Sequence, residues 1–155
     1  MTLFVGYVTF SQLKSHLWKA AEILRGSVPA AEYKYYILPL LSLKRISDRY
    51  DEEIEKELPH QFEVPREAHW RVINKSTDKL GEAINKAIET LELANPSLQG
   101  VLARTNFADH HRLPLNVLRR LVNHFSTISL RDENFVEPDL LGRAYEYLLK
   151  QFAEH

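Results

Sequence analysis

The sequence contains no cysteine, so it can form neither a disulfide nor a thiolate metal site. It has only five glycines among 155 residues, and no two of them form a G-x-G pattern. Loops that hold phosphates or nucleoside cofactors use glycine because the backbone must approach the ligand closely. The sequence therefore predicts no cofactor-binding loop in this chain, and the absence of cysteine fits a reducing, cytoplasmic compartment.

The chain also has no large excess of basic or of acidic residues, with 20 Lys and Arg against 21 Asp and Glu. A nucleic-acid surface would therefore have to come from local segregation of charge. No apolar run approaches the roughly 20 residues that a membrane helix needs. Residues 1–10 are apolar but lack a basic leader and a cleavage site, so we expect an N-terminal tail, either extended or packed on the domain.

Apolar residues recur every three or four positions through most of residues 11–155, which is typical of amphipathic helices. At the first helix, Thr9 and Gln12 have the spacing of a capping box. Strand patterns are weak throughout. The sequence predicts an all-α domain, a small bundle of about five to seven helices. Residues 59–75 are expected to be irregular, with a short helical turn or a small strand.

Prolines mark the expected helix boundaries. Pro39 lies inside the second helical segment, residues 30–58, and predicts a kink or a break there. Asn95-Pro96 predicts a helix stop. It also resembles the Asn-Pro-Pro-aromatic loop with which amino-group DNA methyltransferases grip a flipped base, but Ser97 and Leu98 replace the last two residues of that motif. The last helix carries an apolar stripe made of Leu141, Ala144, Tyr145, Leu148 and Phe152.

We identify no catalytic, cofactor-binding or metal-binding residue. His110 and His111 are adjacent and would point in different directions, without the spacing of a metal site. The acidic run 51–57 has no positioned partner that would tune a pKa, so we interpret it as a solvated helix end.

Two groups of basic residues remain as candidates for contact with nucleic acid. In the first, basic residues outnumber acidic ones between Lys14 and Arg49, and a local excess of this kind can neutralise phosphates. From this group we predict four DNA-contacting residues: Arg25, Lys34, Lys44 and Arg45. The alternative is that Lys44 and Arg45 pair with Asp48 or the acids after it, and only stabilise their helix.

The second basic group lies on the polar side of the fifth helical segment. It consists of Arg119 and Arg120, accompanied by Asn116 and Asn123. For both groups, an ordinary solvated face is the alternative interpretation.

Three stretches together resemble a known family: residues 17–26 (LWKAAEILRG), residues 33–48 (YKYYILPLLSLKRISD) and residues 139–149 (DLLGRAYEYLL). They are similar to the N-terminal helical domain of the modification (DNA methyltransferase) subunit of type I restriction-modification systems. The order and spacing of the stretches also match, and the resemblance covers roughly residues 11–155. The run 33–48 is the more specific part, because the last stretch is shared with related adenine methyltransferases.

In that family the helical domain precedes a catalytic domain, which binds S-adenosylmethionine and methylates adenine and is absent from this chain. Two modification subunits join one specificity subunit, and together they enclose DNA. The resemblance therefore implies a DNA- and subunit-contacting domain that aids assembly and DNA enclosure, and not a domain that carries the chemistry. The alternative is a helical protein-protein interaction module without a nucleic-acid role.

Overall fold

A computed structural model describes residues 7–102, 105–135 and 140–152. These residues form six α-helices: α1 (Phe10–Leu24), α2 (Tyr33–Glu55), α3 (Trp70–Lys75), α4 (Leu80–Ala94), α5 (Leu115–Phe125) and α6 (Leu140–Phe152). Short 3₁₀ turns occupy Ala30–Glu32, Arg66–Ala68, Pro96–Leu98 and Asp132–Asn134. The β pairing within the described part is one isolated bridge, between Val8 and Phe135. The all-α prediction is therefore confirmed.

The first helix begins and ends as its residues dictate. Thr9 accepts from the Gln12 backbone N–H at 3.1 Å, and the Gln12 side chain accepts from the Thr9 N–H at 2.9 Å. This is the predicted capping box. After Arg25 the chain turns at Gly26, whose φ of +88° is left-handed and suits glycine. Of the N-terminal tail, residue Val8 is buried and bridges to the other end of the domain.

The second helix does not break at its internal proline. A proline at position 39 has no N–H, so the carbonyl of Tyr35, four residues earlier, loses its usual helical partner. The Thr105 hydroxyl donates to that carbonyl at 2.5 Å. Because the carbonyl is satisfied from another segment, α2 continues from Tyr33 to Glu55, and the predicted break is wrong.

The segment 59–75 is irregular, as predicted, and it contains the 3₁₀ turn Arg66–Ala68 followed by the short helix α3. Asn95 holds this segment to the end of α4. Its side chain accepts from the Glu63 N–H at 2.9 Å and donates to the carbonyls of Glu63 at 2.7 Å and Leu91 at 2.9 Å. Asn95-Pro96 is thus the helix stop that its sequence predicts.

The helices share one core, and most of the predicted stripes point into it. The fully buried members include Leu13, Leu17, Leu24, Ile37, Leu40, Leu43, Leu80, Ile84, Leu91, Leu118, Leu121, Val122 and Phe125. In α6, Leu140 and Ala144 are buried. The predicted stripe positions Leu141, Tyr145, Leu148 and Phe152 lie outside the described side chains.

A pair of stacked histidines joins α1 to α5. The rings of His16 and His124 lie 3.7 Å apart. Each ring places its Nε2 within hydrogen-bonding distance of the other residue's carbonyl oxygen, at 3.0 and 2.7 Å. Burial, with the neighbouring His124, lowers the pKa of His16 to about 4. The His16 ring is therefore neutral at pH 7, and the stacked pair packs α5 against α1.

Candidate nucleic-acid interface

Two of the four predicted DNA contacts lie near the corner between α1 and α2. Arg25 is exposed at the C-terminal cap of α1. Within the part of the chain that the structure describes, its guanidinium has no ion-pair partner. Lys34 is half-buried in the first turn of α2, with its ammonium 5.3 Å from the ring centre of Tyr35. Lys34 likewise has no carboxylate partner among the described residues, so either cation could pair with a phosphate.

Lys44 is placed differently, because it is buried to 6% exposure. Its ammonium donates to Asp48 at 2.5 Å and to the carbonyl of Ile128 at 2.6 Å. The Asp48 carboxylate also accepts the backbone N–H of Leu130 at 2.8 Å. This geometry matches the alternative raised from sequence, in which Lys44 pairs at i,i+4. The ammonium is not available to a phosphate in this arrangement.

Arg45 is also occupied by contacts within the protein. Its guanidinium donates to the carbonyl of Leu130 at 2.6 Å and to the carboxylate of Asp132 at 2.5 Å. The guanidinium carbon lies 5.2 Å from the ring centre of Phe135. For Arg45, as for Lys44, the geometry favours a structural role over the predicted phosphate contact.

The acidic end of α2 is not the solvated run that the sequence suggested. The side chain of Glu52 is 0% exposed and that of Glu53 is 2% exposed. Glu52 accepts the backbone N–H groups of Asp132 and Glu133, both at 3.0 Å, and pairs with Arg49 at 2.8 Å. A buried carboxylate needs such partners, since desolvation penalises its charge. The interpretation as a solvated helix end is therefore wrong for these two residues.

Five side chains of α2 act together as a cluster, which we call the α2 clamp: Lys44, Arg45, Asp48, Arg49 and Glu52. The clamp forms hydrogen bonds with backbone N–H and C=O groups of residues 128–133. Burial alone would raise the pKa of Glu52, but hydrogen bonds from Arg49, the two backbone N–H groups and Lys56 lower it to about 2. Glu52 therefore remains ionised and keeps accepting those N–H groups.

The second basic group occupies a different setting. Arg119 is half-buried, and its guanidinium donates to the carbonyls of Asn74 at 3.1 Å and Ser76 at 2.9 Å. It also donates to the side-chain oxygens of Asn74 and Asn123. Its neighbour Arg120 is exposed. Arg119 is thus held by carbonyl groups at the end of α3, with no carboxylate among its described partners.

Among the described residues, no group of three or more His, Asp or Glu side chains is arranged to hold a metal ion. His110 contacts the carbonyl of Leu113 at 3.0 Å, so this ring helps to order the turn that precedes α5.

A family model described as the HsdM N-terminal domain matches residues 13–125, which is most of the chain. The chain belongs to this family. The match spans α1 to α5, and therefore includes the α2 clamp's helix and the Arg119 contacts with α3. The family resemblance seen in the sequence is confirmed.

A curated relative is the type I restriction enzyme MjaIX methylase subunit of Methanocaldococcus jannaschii, which is 30% identical over 179 aligned positions. The alignment covers 92% of this chain and 31% of the relative, so the chain spans about a third of that protein's length. No helix in the described part of the chain is long and apolar enough to cross a membrane.

Proposed function

We propose that this chain is the DNA- and subunit-contacting helical domain of a type I restriction-modification adenine methyltransferase. The observation that carries the proposal is membership of the HsdM N-terminal domain family, together with similarity to a methylase subunit. In this proposal the domain aids assembly and DNA enclosure. Methylation and the binding of S-adenosylmethionine belong to a catalytic domain of the parent protein. The partners are DNA, the specificity subunit and a second modification subunit.

For the DNA contact at the corner of α1 and α2, the proposal rests on Arg25 and Lys34, because neither forms an ion pair with a described residue. Such contacts would position the domain on the backbone of DNA without reading its sequence. Lys44 and Arg45 contribute indirectly, by holding residues 128–133 in place. The alternative function is a helical interaction module without a nucleic-acid role. It predicts that affinity for duplex DNA does not depend on Arg25 or Lys34.

The test is the affinity of the chain for a random-sequence duplex, measured by fluorescence anisotropy across a salt series. Arg25→Ala with Lys34→Ala should reduce the slope of log affinity against log salt by roughly 1 to 2 units. The matched control is Lys86→Ala with Lys150→Ala, which removes the same charge from exposed positions on α4 and α6. An equal reduction of the salt slope in the two double variants would contradict a specific role for the corner of α1 and α2. An absence of salt-dependent binding by the unaltered chain would favour the interaction module.

A further inference from the structure

Side-chain hydrogen bonds link α3 to α5 at two places, and the order of these contacts along the two helices is opposite. At one end the Trp70 indole N–H donates to the hydroxyl of Ser126 at 3.0 Å. At the other end Arg119 reaches the carbonyls of Asn74 and Ser76. The start of α3 thus meets the end of α5, and the end of α3 meets the middle of α5.

Each of these two linked helices exposes polar side chains. On α3, Arg71 and Lys75 are exposed and four residues apart, so they share one side of the helix. On α5, the exposed positions Asn116, Arg120 and Asn123 follow one another at intervals of four and three residues. We call this surface the α3–α5 face, defined by Arg71, Lys75, Asn116, Arg120 and Asn123.

The α3–α5 face carries positive charge that the described residues do not neutralise. Arg71, Lys75 and Arg120 have no side-chain ion pair within the described ranges. Arg119, which links α5 to the end of α3, has only carbonyl and amide oxygens as described partners. The sequence has no Asp or Glu in residues 69–77 or in residues 110–131, and the carboxylates that flank α3 along the chain are Glu67 and Asp78.

The contacts of Arg119 show how its guanidinium is satisfied without a carboxylate partner. The carbonyls at the C-terminal end of a helix carry partial negative charge and accept hydrogen bonds from cations. Arg119 uses those carbonyls at the end of α3, so the arginine is satisfied while its net charge persists. An extended array of cations flanked by amides suits a row of phosphates, because cations supply attraction and amides supply hydrogen bonds.

We propose that the α3–α5 face is a second phosphate-contacting surface of the domain, and that its partner is the backbone of duplex DNA. The proposal rests on the proposed function, since it names a surface for the same partner. It assigns the contact to Arg71, Lys75 and Arg120, with Asn116 and Asn123 as hydrogen-bonding groups between them. An acidic protein surface is the competing partner, and the experiment below distinguishes it.

The experiment measures duplex affinity of the chain by anisotropy at several salt concentrations, for the unaltered chain and for the triple variant Arg71→Ala, Lys75→Ala, Arg120→Ala. We expect the triple variant to bind about ten-fold or more weakly at low salt, and to lose roughly 2 to 3 units of salt slope. The three positions are exposed, so circular dichroism should show an unchanged helix content and melting temperature.

Comparison with Arg25→Ala plus Lys34→Ala separates this inference from the proposed function. If only the α1–α2 corner variant loses slope, the α3–α5 face is not a DNA surface, while the proposed function stands. If the unaltered chain shows no salt-dependent duplex binding, both are overturned. Binding of poly-glutamate as tight as binding of the duplex, and equally sensitive to the triple variant, would overturn the assignment to DNA in favour of an acidic partner.

Discussion

The cations of α2 and the cations of α3 and α5 sit in contrasting environments. Lys44 and Arg45 each reach a carboxylate and a backbone carbonyl, and their side chains are 8% and 23% exposed. By contrast, Arg71, Lys75 and Arg120 are exposed and reach no carboxylate within the described ranges. A basic residue therefore has to be judged by what lies opposite it in the fold, because the same charge can hold the protein together or remain available to a partner.

The largest expected effect comes from removing the charge at the centre of the α2 clamp. Glu52→Gln keeps the size of the side chain but leaves Arg49 and two backbone N–H groups without a carboxylate. Breaking a buried charge pair from one side costs roughly 3–5 kcal/mol, and we expect a loss of that order in the free energy of unfolding, measured by urea denaturation. Glu89→Gln, at an exposed position on α4, is the control and should change stability by no more than about 0.5 kcal/mol.

The same variant gives a prediction for pH. Folding lowers the pKa of Glu52 from 4.5 to about 2. Its contribution to stability is therefore complete above about pH 4.5 and is lost as the pH falls toward 2. The difference in stability between the unaltered chain and Glu52→Gln should shrink over that window. A difference that stays constant from pH 7 to pH 3 would contradict the role given to the carboxylate.

A smaller effect is expected at Lys44. Lys44→Ala removes a buried partner from Asp48 and from the carbonyl of Ile128, and should cost roughly 2–3 kcal/mol. Lys86→Ala is a suitable comparison, because Lys86 also pairs with a carboxylate on its own helix, that of Glu89, but is 62% exposed. An exposed pair of that kind contributes at most a few tenths of a kcal/mol. Thermal melting of both variants checks the prediction, and equal losses would mean that burial of Lys44 is not what matters.

The smallest expected losses of stability distinguish two neighbouring arginines on α5, Arg119 and Arg120. Arg119→Ala should cost about 1–2 kcal/mol, because the carbonyls at the end of α3 lose their donor. Arg120→Ala should change stability by less than about 0.5 kcal/mol, since the side chain is exposed and supports no described contact. Chemical denaturation of the two variants decides this point. If Arg120→Ala were the more destabilising of the two, the α3–α5 face would have to be regarded as part of the fold.

The local features of the fold follow from short stretches of sequence. The capping box at Thr9, the stop at Asn95 and the helical spacing of the apolar residues all depend on residues within a few positions of one another. These were predicted correctly. The expected break at Pro39 is absent, and the group that satisfies the Tyr35 carbonyl comes from Thr105, which is 70 residues away in the chain.

The contacts of the candidate site were also hard to predict from the sequence, because they join residues that are far apart in the chain. The two backbone N–H groups that Glu52 accepts are some 80 residues away, in the connection after α5, so residues near Glu52 in the sequence do not reveal them. One signal was present: the apolar positions Ile37 and Leu41 continue at helical spacing through Lys44, Asp48 and Glu52. Charged residues on the continuation of a buried face indicate internal pairing. For α3 and α5, the sequence showed the cations but not the hydrogen bonds of Trp70 and Arg119 that link the two helices.

The most direct test of this account measures duplex affinity against salt for Lys44→Ala with Arg45→Ala, beside the triple variant of the α3–α5 face. We expect the α2 double variant to melt at a lower temperature and, at temperatures where it remains folded, to keep the salt slope of the unaltered chain. We expect the triple variant to keep its melting temperature and to lose roughly 2 to 3 units of slope. A reduced slope for Lys44→Ala with Arg45→Ala, with no loss of stability, would contradict the central claim that the α2 cations serve the fold.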